Sequence, residues 1–244
     1  MRKVIALGTM AGVLVALAGV GPAFAGDNKD NRGHGGYHDR GPATLSVFHG
    51  VPGLIVDVYV DGVLTVDDFE PGTFAGPLDL AAGTYSVAIT PADAAGADEA
   101  VIGPVDLSLT SGTSYTAAAH LTADGAPTAT LFTNNTDAVG KREGRLTVRH
   151  IAAAPAVDVL ANGAAAFTNL TNPNEGELTL PVGTISAAVA AAGTTDPLLG
   201  PADVNIEKRT NTIVYAWGSL QADNLALAVQ SDPLDKKKHH GKRW

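Results

Sequence analysis

Leu45-Ser46-Val47-Phe48-His49, followed through Val51-Pro52 by Val56-Asp57-Val58-Tyr59-Val60-Asp61-Gly62, decides the architecture because the chain contains it twice. The second writing is Leu146-Thr147-Val148-Arg149-His150, then Ala154-Pro155, then Val157-Asp158-Val159-Leu160-Ala161-Asn162-Gly163. His49, Asp57 and Gly62 recur at His150, Asp158 and Gly163 with one constant offset, which marks a duplicated domain. In each copy the residues alternate as a half-buried strand requires: Leu45, Val47 and His49 share one face, Ser46 and Phe48 the other. Asp61-Gly62 and Asn162-Gly163 are the two common choices for a type I′ turn, which needs positive φ at both positions. Each phrase therefore predicts a strand followed by a hairpin.

Outward from the hairpins the pattern continues. Strands are predicted at 76–80, 84–90, 100–109, 114–121 and 128–133, separated by Gly, Pro, Asp and Ala turns. Leu78-Asp79-Leu80 with Gly83-Thr84 returns as Leu178-Thr179-Leu180 with Gly183-Thr184, and Ile102-Gly103-Pro104 returns as Leu199-Gly200-Pro201. The spacing drifts between these pairs, so insertions and deletions fall in loops and leave strand register alone. No stretch holds a helical apolar period. About seven short strands per unit predict an all-β chain of two tandem antiparallel β-sandwich domains, immunoglobulin-like or transthyretin-like, at 44–136 and 145–231. A unit of this size buries roughly 60 to 65% of its unfolded surface, so the copies are expected to lean on each other across a short linker at 137–144.

The two ends read differently. Met1-Arg2-Lys3, the apolar run Val4 to Val20 and Ala23-Phe24-Ala25 form a secretory signal peptide at 1–25, and no other stretch could span a bilayer. This predicts a secreted or cell-surface-associated protein. Residues 26–43 are rich in Gly, Asp, Asn, Arg and His and predict a flexible leader, in which His34 and His38 lack the helix that would make their spacing a metal site. Residues 232–244 form a basic tail, Lys236-Lys237-Lys238-His239-His240-Gly241-Lys242-Arg243-Trp244, suited to anionic wall polymer or lipid headgroups or to plain solvation.

Composition excludes several chemistries. There is no cysteine, so disulfides, thiolate catalysis and a lipidated cysteine are absent. The formal net charge of −9 becomes −11 once Arg2 and Lys3 leave with the signal, and between Thr44 and Thr136 there are 11 acids and no Lys or Arg. Such a surface repels nucleic acid and anionic lipid.

The combination of V-x-H, a following proline, V-D-V-x-x-[DN]-G, L-x-L-x-x-G-T and a later G-P-x-D strand resembles the secreted bacterial repeat called domain of unknown function 4397. The resemblance covers both units and implies tandem β-sandwich modules of exported or surface proteins, with no catalytic residues to carry over. In the second copy Leu160-Ala161 replaces Tyr59-Val60, which touches loop detail and not the fold.

Candidate chemistry is sparse. His49 and His150 each have an Asp eight positions on, Asp57 and Asp158, and a His–Asp pair could orient a base. Their place on the Leu/Val face favours a structural imidazole, and no nucleophile accompanies them. Asp67, Asp68 and Glu70 cluster on one loop but lack the spacing of a calcium loop, and the second copy has Thr168 and Asn169 there. Asn134-Asn135-Thr136 and Asn169-Leu170-Thr171 match glycosylation acceptors. Trp217 offers a stacking surface if exposed and a core side chain if not. No catalytic, cofactor or metal residue is assigned. The expected role is a non-enzymatic structural, adhesive or interaction protein of the cell envelope, with carbohydrate or small-ligand binding second and hydrolysis third.

Overall fold

The computed structural model describes residues 41–235. The signal peptide, nearly all of the leader and the basic run 236–244 lie outside the described residues.

Eight strands form the first unit: β1 (Ala43–His49), β2 (Val56–Val60), β3 (Val63–Phe69), β4 (Phe74–Leu80), β5 (Gly83–Pro91), β6 (Ile102–Leu109), β7 (Ser114–Leu121) and β8 (Pro127–Asn134). A single 3₁₀ turn, Ala97–Glu99, interrupts them. The second unit repeats the series as β9 (Glu143–His150), β10 (Val157–Ala161), β11 (Ala164–Leu170), β12 (Glu175–Pro181), β13 (Gly183–Ala191), β14 (Pro197–Ile206), β15 (Thr210–Trp217) and β16 (Ala226–Pro233). Each unit is two four-stranded sheets. The first has orders β4-β1-β7-β8 and β3-β2-β5-β6, and the second has the matching orders β12-β9-β15-β16 and β11-β10-β13-β14. Two β-sandwiches result, as the alternation and turn pattern predict.

The β2–β3 and β10–β11 hairpins turn as their residues require: Asp61 and Gly62 have φ of 50° and 78°, Asn162 and Gly163 of 51° and 80°. The turn side chains also reach across, Asp61 Oδ1 accepting the Ser86 N–H and Asn162 Oδ1 the Ser186 N–H, both at 2.9 Å. The prediction of purely antiparallel sheets needs one amendment. β1 pairs in parallel with β7, and β9 with β15, while the other pairs are antiparallel. The long path from the first strand of each unit through the opposite sheet returns the chain in the same direction beside it.

The two sandwiches do more than lean on each other. The outward faces of β4-β1-β7-β8 and β12-β9-β15-β16 pack together, so four sheets lie in a stack. Phe48, Ala118 and Phe132 from the first body join Ile213, Tyr215 and Ala228 from the second in one buried cluster. Phe48 contacts the Phe74 and Tyr215 rings at centroid distances of 4.6 and 4.8 Å and meets Trp217 edge-on at 6.0 Å. Polar bonds cross the same seam. The Ser114 hydroxyl donates to Asp232 at 2.8 Å, the Asn172 amide donates to the Leu121 carbonyl at 2.8 Å, and the Asp235 N–H donates to the Thr136 carbonyl at 2.7 Å.

Candidate functional site: the seam and a chamber in the first sandwich

Alternation along β9 sends Leu146 and Val148 into the second core and Thr147 and Arg149 to the other face, which the first body covers. Arg149 is only 1% exposed. Its Nε donates to Glu175 at 2.7 Å, one terminal nitrogen to the Tyr215 hydroxyl at 2.7 Å and the other to Asn134 Oδ1 at 2.9 Å. Its guanidinium carbon lies 4.3 Å from the centre of the Phe132 ring. Tyr215 in turn donates to Gln230 Oε1 at 2.6 Å, and the Thr116 hydroxyl donates to the same oxygen at 3.1 Å. Burial pushes the Tyr215 phenol up, and the neighbouring Arg149 charge partly opposes this. With each of its three nitrogens donating to an acceptor, on Glu175 and Tyr215 of one body and Asn134 of the other, the guanidinium is a cross-link between the two bodies. Asn134, which matched a glycosylation acceptor, is part of this network and 3% exposed, so its amide is not presented for modification. Trp217 packs against Phe48 with its indole nitrogen buried and unpartnered, so it is not a free stacking surface.

His49 and His150 occupy equivalent strand ends and do the same thing. Each Nε2 bonds a backbone carbonyl five residues on, Leu54 at 2.7 Å and Pro155 at 3.0 Å, fastening the loop after the strand. Asp57 and Asp158 are not their partners. Asp57 Oδ1 accepts the Asp68 N–H at 2.9 Å and Asp158 Oδ1 the Asn169 N–H at 2.8 Å. These bonds hold Asp68 and Asn169 in the left-handed region, φ 50° and 54°, where β3 and β11 bulge. The duplicated His and Asp are two separate structural devices. Asp67 and Asp68 gather with Asp57, not Glu70, their carboxylate oxygens within 4.8 Å of one another. Desolvation, then the Asp57 and Asp68 charges, pushes the Asp67 carboxyl up.

A third histidine, His120, bonds the Leu121 carbonyl at 2.8 Å and the Thr130 hydroxyl at 2.9 Å. Burial holds all three imidazoles below the ordinary value near 6.5. Protonating His49 or His150 would also create a buried Nδ1–H with no acceptor. Below pH 6.5 the unfolded chain therefore takes up protons that the folded chain refuses. Stability that is full above that value is lost as pH falls, by up to about 1.4 kcal/mol per pH unit for each histidine. Urea midpoints should drop between pH 7.5 and 5.5, and a flat profile would contradict the assignment.

The sharpest difference between the bodies lies inside them. The first encloses an apolar cavity of about 480 Å³ between its sheets, whereas the matching space in the second is about 10 Å³. Register explains how. Ala117, opposite Val47, is replaced by Val214 opposite Val148. Ala129, opposite Ala119, is replaced by Leu227 opposite Ala216. Val66, opposite Val58, is replaced by Phe167 opposite Val159. The exchange runs both ways, since Val87 and Val105 give way to Ala187 and Ala202. The filling side chains nevertheless come from the other sheet and from the edge, and they close the space.

Phe167 also seals that edge. It sits over Gly176 of β12, where an added Cβ would come within 2.5 Å of its ring. In the first body the same pair of positions is Val66 and Ala75, and the seal is missing. Chamber residues on this side reach solvent: Val63 is 61% exposed, and Val60, Leu78, Leu80 and Tyr85 are half-buried. Water gains little in the chamber, because it needs two to four polar partners.

Sequence reasoning had no direct signal for either feature. Arg149 reads as a solvated strand residue, and the chamber depends on a sum of volumes across two sheets.

Among known proteins, the family model described as Domain of unknown function (DUF4397) matches residues 43–160, the whole first sandwich and the opening strands of the second. A search of curated proteins found no match. Duplicated V-D-V hairpins, paired four-stranded sheets and the family match agree: residues 43–160 match the family described as Domain of unknown function (DUF4397).

Proposed function

We propose that the protein is an exported, non-enzymatic structural module of the cell envelope, a stiff pair of β-sandwiches held in one orientation. The observation that carries this reading is the buried Arg149 cross-link. A guanidinium with four partners drawn from both bodies fixes their relative position, which a mere linker between independent domains would not need. The roles of the duplicated His and Asp residues are part of the reading. The duplicated histidines are spent on loop carbonyls, and the duplicated aspartates on backbone N–H groups. Export rests on the sequence of residues 1–25, and retention at an anionic wall or lipid surface on the basic residues 236–244.

Two measurements test this. Fractionation of the producing cells should place the protein outside the cytoplasm, and removal of residues 235–244 should reduce its retention on purified wall material. Protein found only inside the cell defeats the export reading, and equal retention removes the tail from it. Denaturant unfolding should show one transition for both bodies. Two well-separated transitions would mean that the seam does not couple them.

A further inference from the structure

We propose that the chamber of the first sandwich is a binding site for one uncharged apolar small molecule, admitted along the β3/β4 side. This goes beyond the structural role, which needs no cavity. At about 480 Å³ the chamber lies within the roughly 300–1,000 Å³ range of pockets that enclose small molecules. Its walls are Val, Leu, Ile and Ala side chains from both sheets, with few polar groups among them.

The second body serves as an internal control. The same fold, with the same hairpins and sheet order, closes the space with Val214, Leu227 and Phe167. A hollow core is therefore not a requirement of the architecture. It is a property of the first copy, produced by small residues at the centre of one sheet and an unsealed edge.

The ligand's charge follows from what surrounds the chamber. Its polar lining groups are already engaged. The Thr65 hydroxyl donates to the Val63 carbonyl at 3.0 Å, the Tyr85 hydroxyl to the Ala81 carbonyl at 2.9 Å, and Asp61 accepts from Ser86. No Lys or Arg occurs between Thr44 and Thr136, while 11 acids do, so a carboxylate, sulfonate or phosphate headgroup meets repulsion and no partner. Affinity must come mainly from apolar burial, and a buried cation would have only the solvent-exposed Asp61 carboxylate in the lining to pair with, which favours a molecule that carries no charge of its own.

The full chain titrated with N-phenyl-1-naphthylamine, a neutral fluorescent probe, should show saturable binding of one molecule. The sulfonated anionic analogue should bind at least tenfold more weakly. Ala129→Leu, and Val66→Phe made together with Ala75→Gly so that the ring has the room Gly176 gives Phe167, transplant the second copy's filling residues and should each weaken binding tenfold or more, with circular dichroism unchanged and Tm at or above the wild-type value. Ala117→Val, the smallest filling change, provides the same readout if a larger one prevents folding. Absence of saturable binding, or equal binding by folded filled variants, overturns the site. Equal or tighter binding of the anionic analogue overturns the assignment of an uncharged ligand.

Discussion

Arg149→Ala is expected to lower the unfolding free energy by about 3–5 kcal/mol, the range for removing one partner of a buried, hydrogen-bonded charge pair. Three acceptors, on Glu175, Tyr215 and Asn134, lose their donor together, and the Phe132 ring loses the cation above it. Tyr215 and Asn134 are buried and cannot turn to solvent for replacement, so their desolvation goes uncompensated. Glu175 is different. Its side chain is 30% exposed, so Glu175→Gln should cost about 1 kcal/mol or less, and the asymmetry between the partners is itself diagnostic. Denaturant melts followed by Trp217 emission, in a Trp244→Phe background, read the seam directly because the indole packs in it. A loss below about 1 kcal/mol for Arg149→Ala would mean that the cross-link does not hold the bodies together.

Phe48→Ala should cost a similar amount, about 3–5 kcal/mol, through a cavity and not through charge. Phe48 is 0% exposed, and its ring stands between Phe74, Tyr215 and Trp217, so truncation opens a void that two rigid sheets cannot collapse around. Because Phe48 and Arg149 both touch Tyr215, the double variant should lose less than the sum of the two single losses. Strict additivity would show that the ring cluster and the guanidinium network are independent.

Much of the architecture can be read from the residues. The V-D-V hairpins, the Asp-Gly and Asn-Gly turns and the drift of spacing through loops locate the strands and the duplication. The inner faces follow from Leu45, Val47, Leu146 and Val148. The outer faces do not. An alternation such as Arg145-Leu146-Thr147-Val148-Arg149 ordinarily means one wet face, and its burial depends on a sheet of the other body, β4-β1-β7-β8, supplying Phe132 and Asn134. Phe48, Ile213 and Tyr215 carried a partial signal, since apolar residues on both faces of a strand imply cover on both sides. The parallel pairing of β1 with β7 was likewise out of reach, because local patterning is silent on direction. The chamber was hidden for a different reason: Ala117 and Ala129 are unremarkable strand residues until register sets them against Val214 and Leu227.

The bonds from Ser114 to Asp232 and from Asp235 to Thr136 have a bearing on how the molecule is displayed. Thr44 lies beside Ser114 in the sheet, so the first and last described strands begin and finish at one pole, while the loops fastened by His49 and His150 occupy the other. A grip on the body at residue 41 or 235 would hold that pole and leave the histidine-braced loops projecting from the far end.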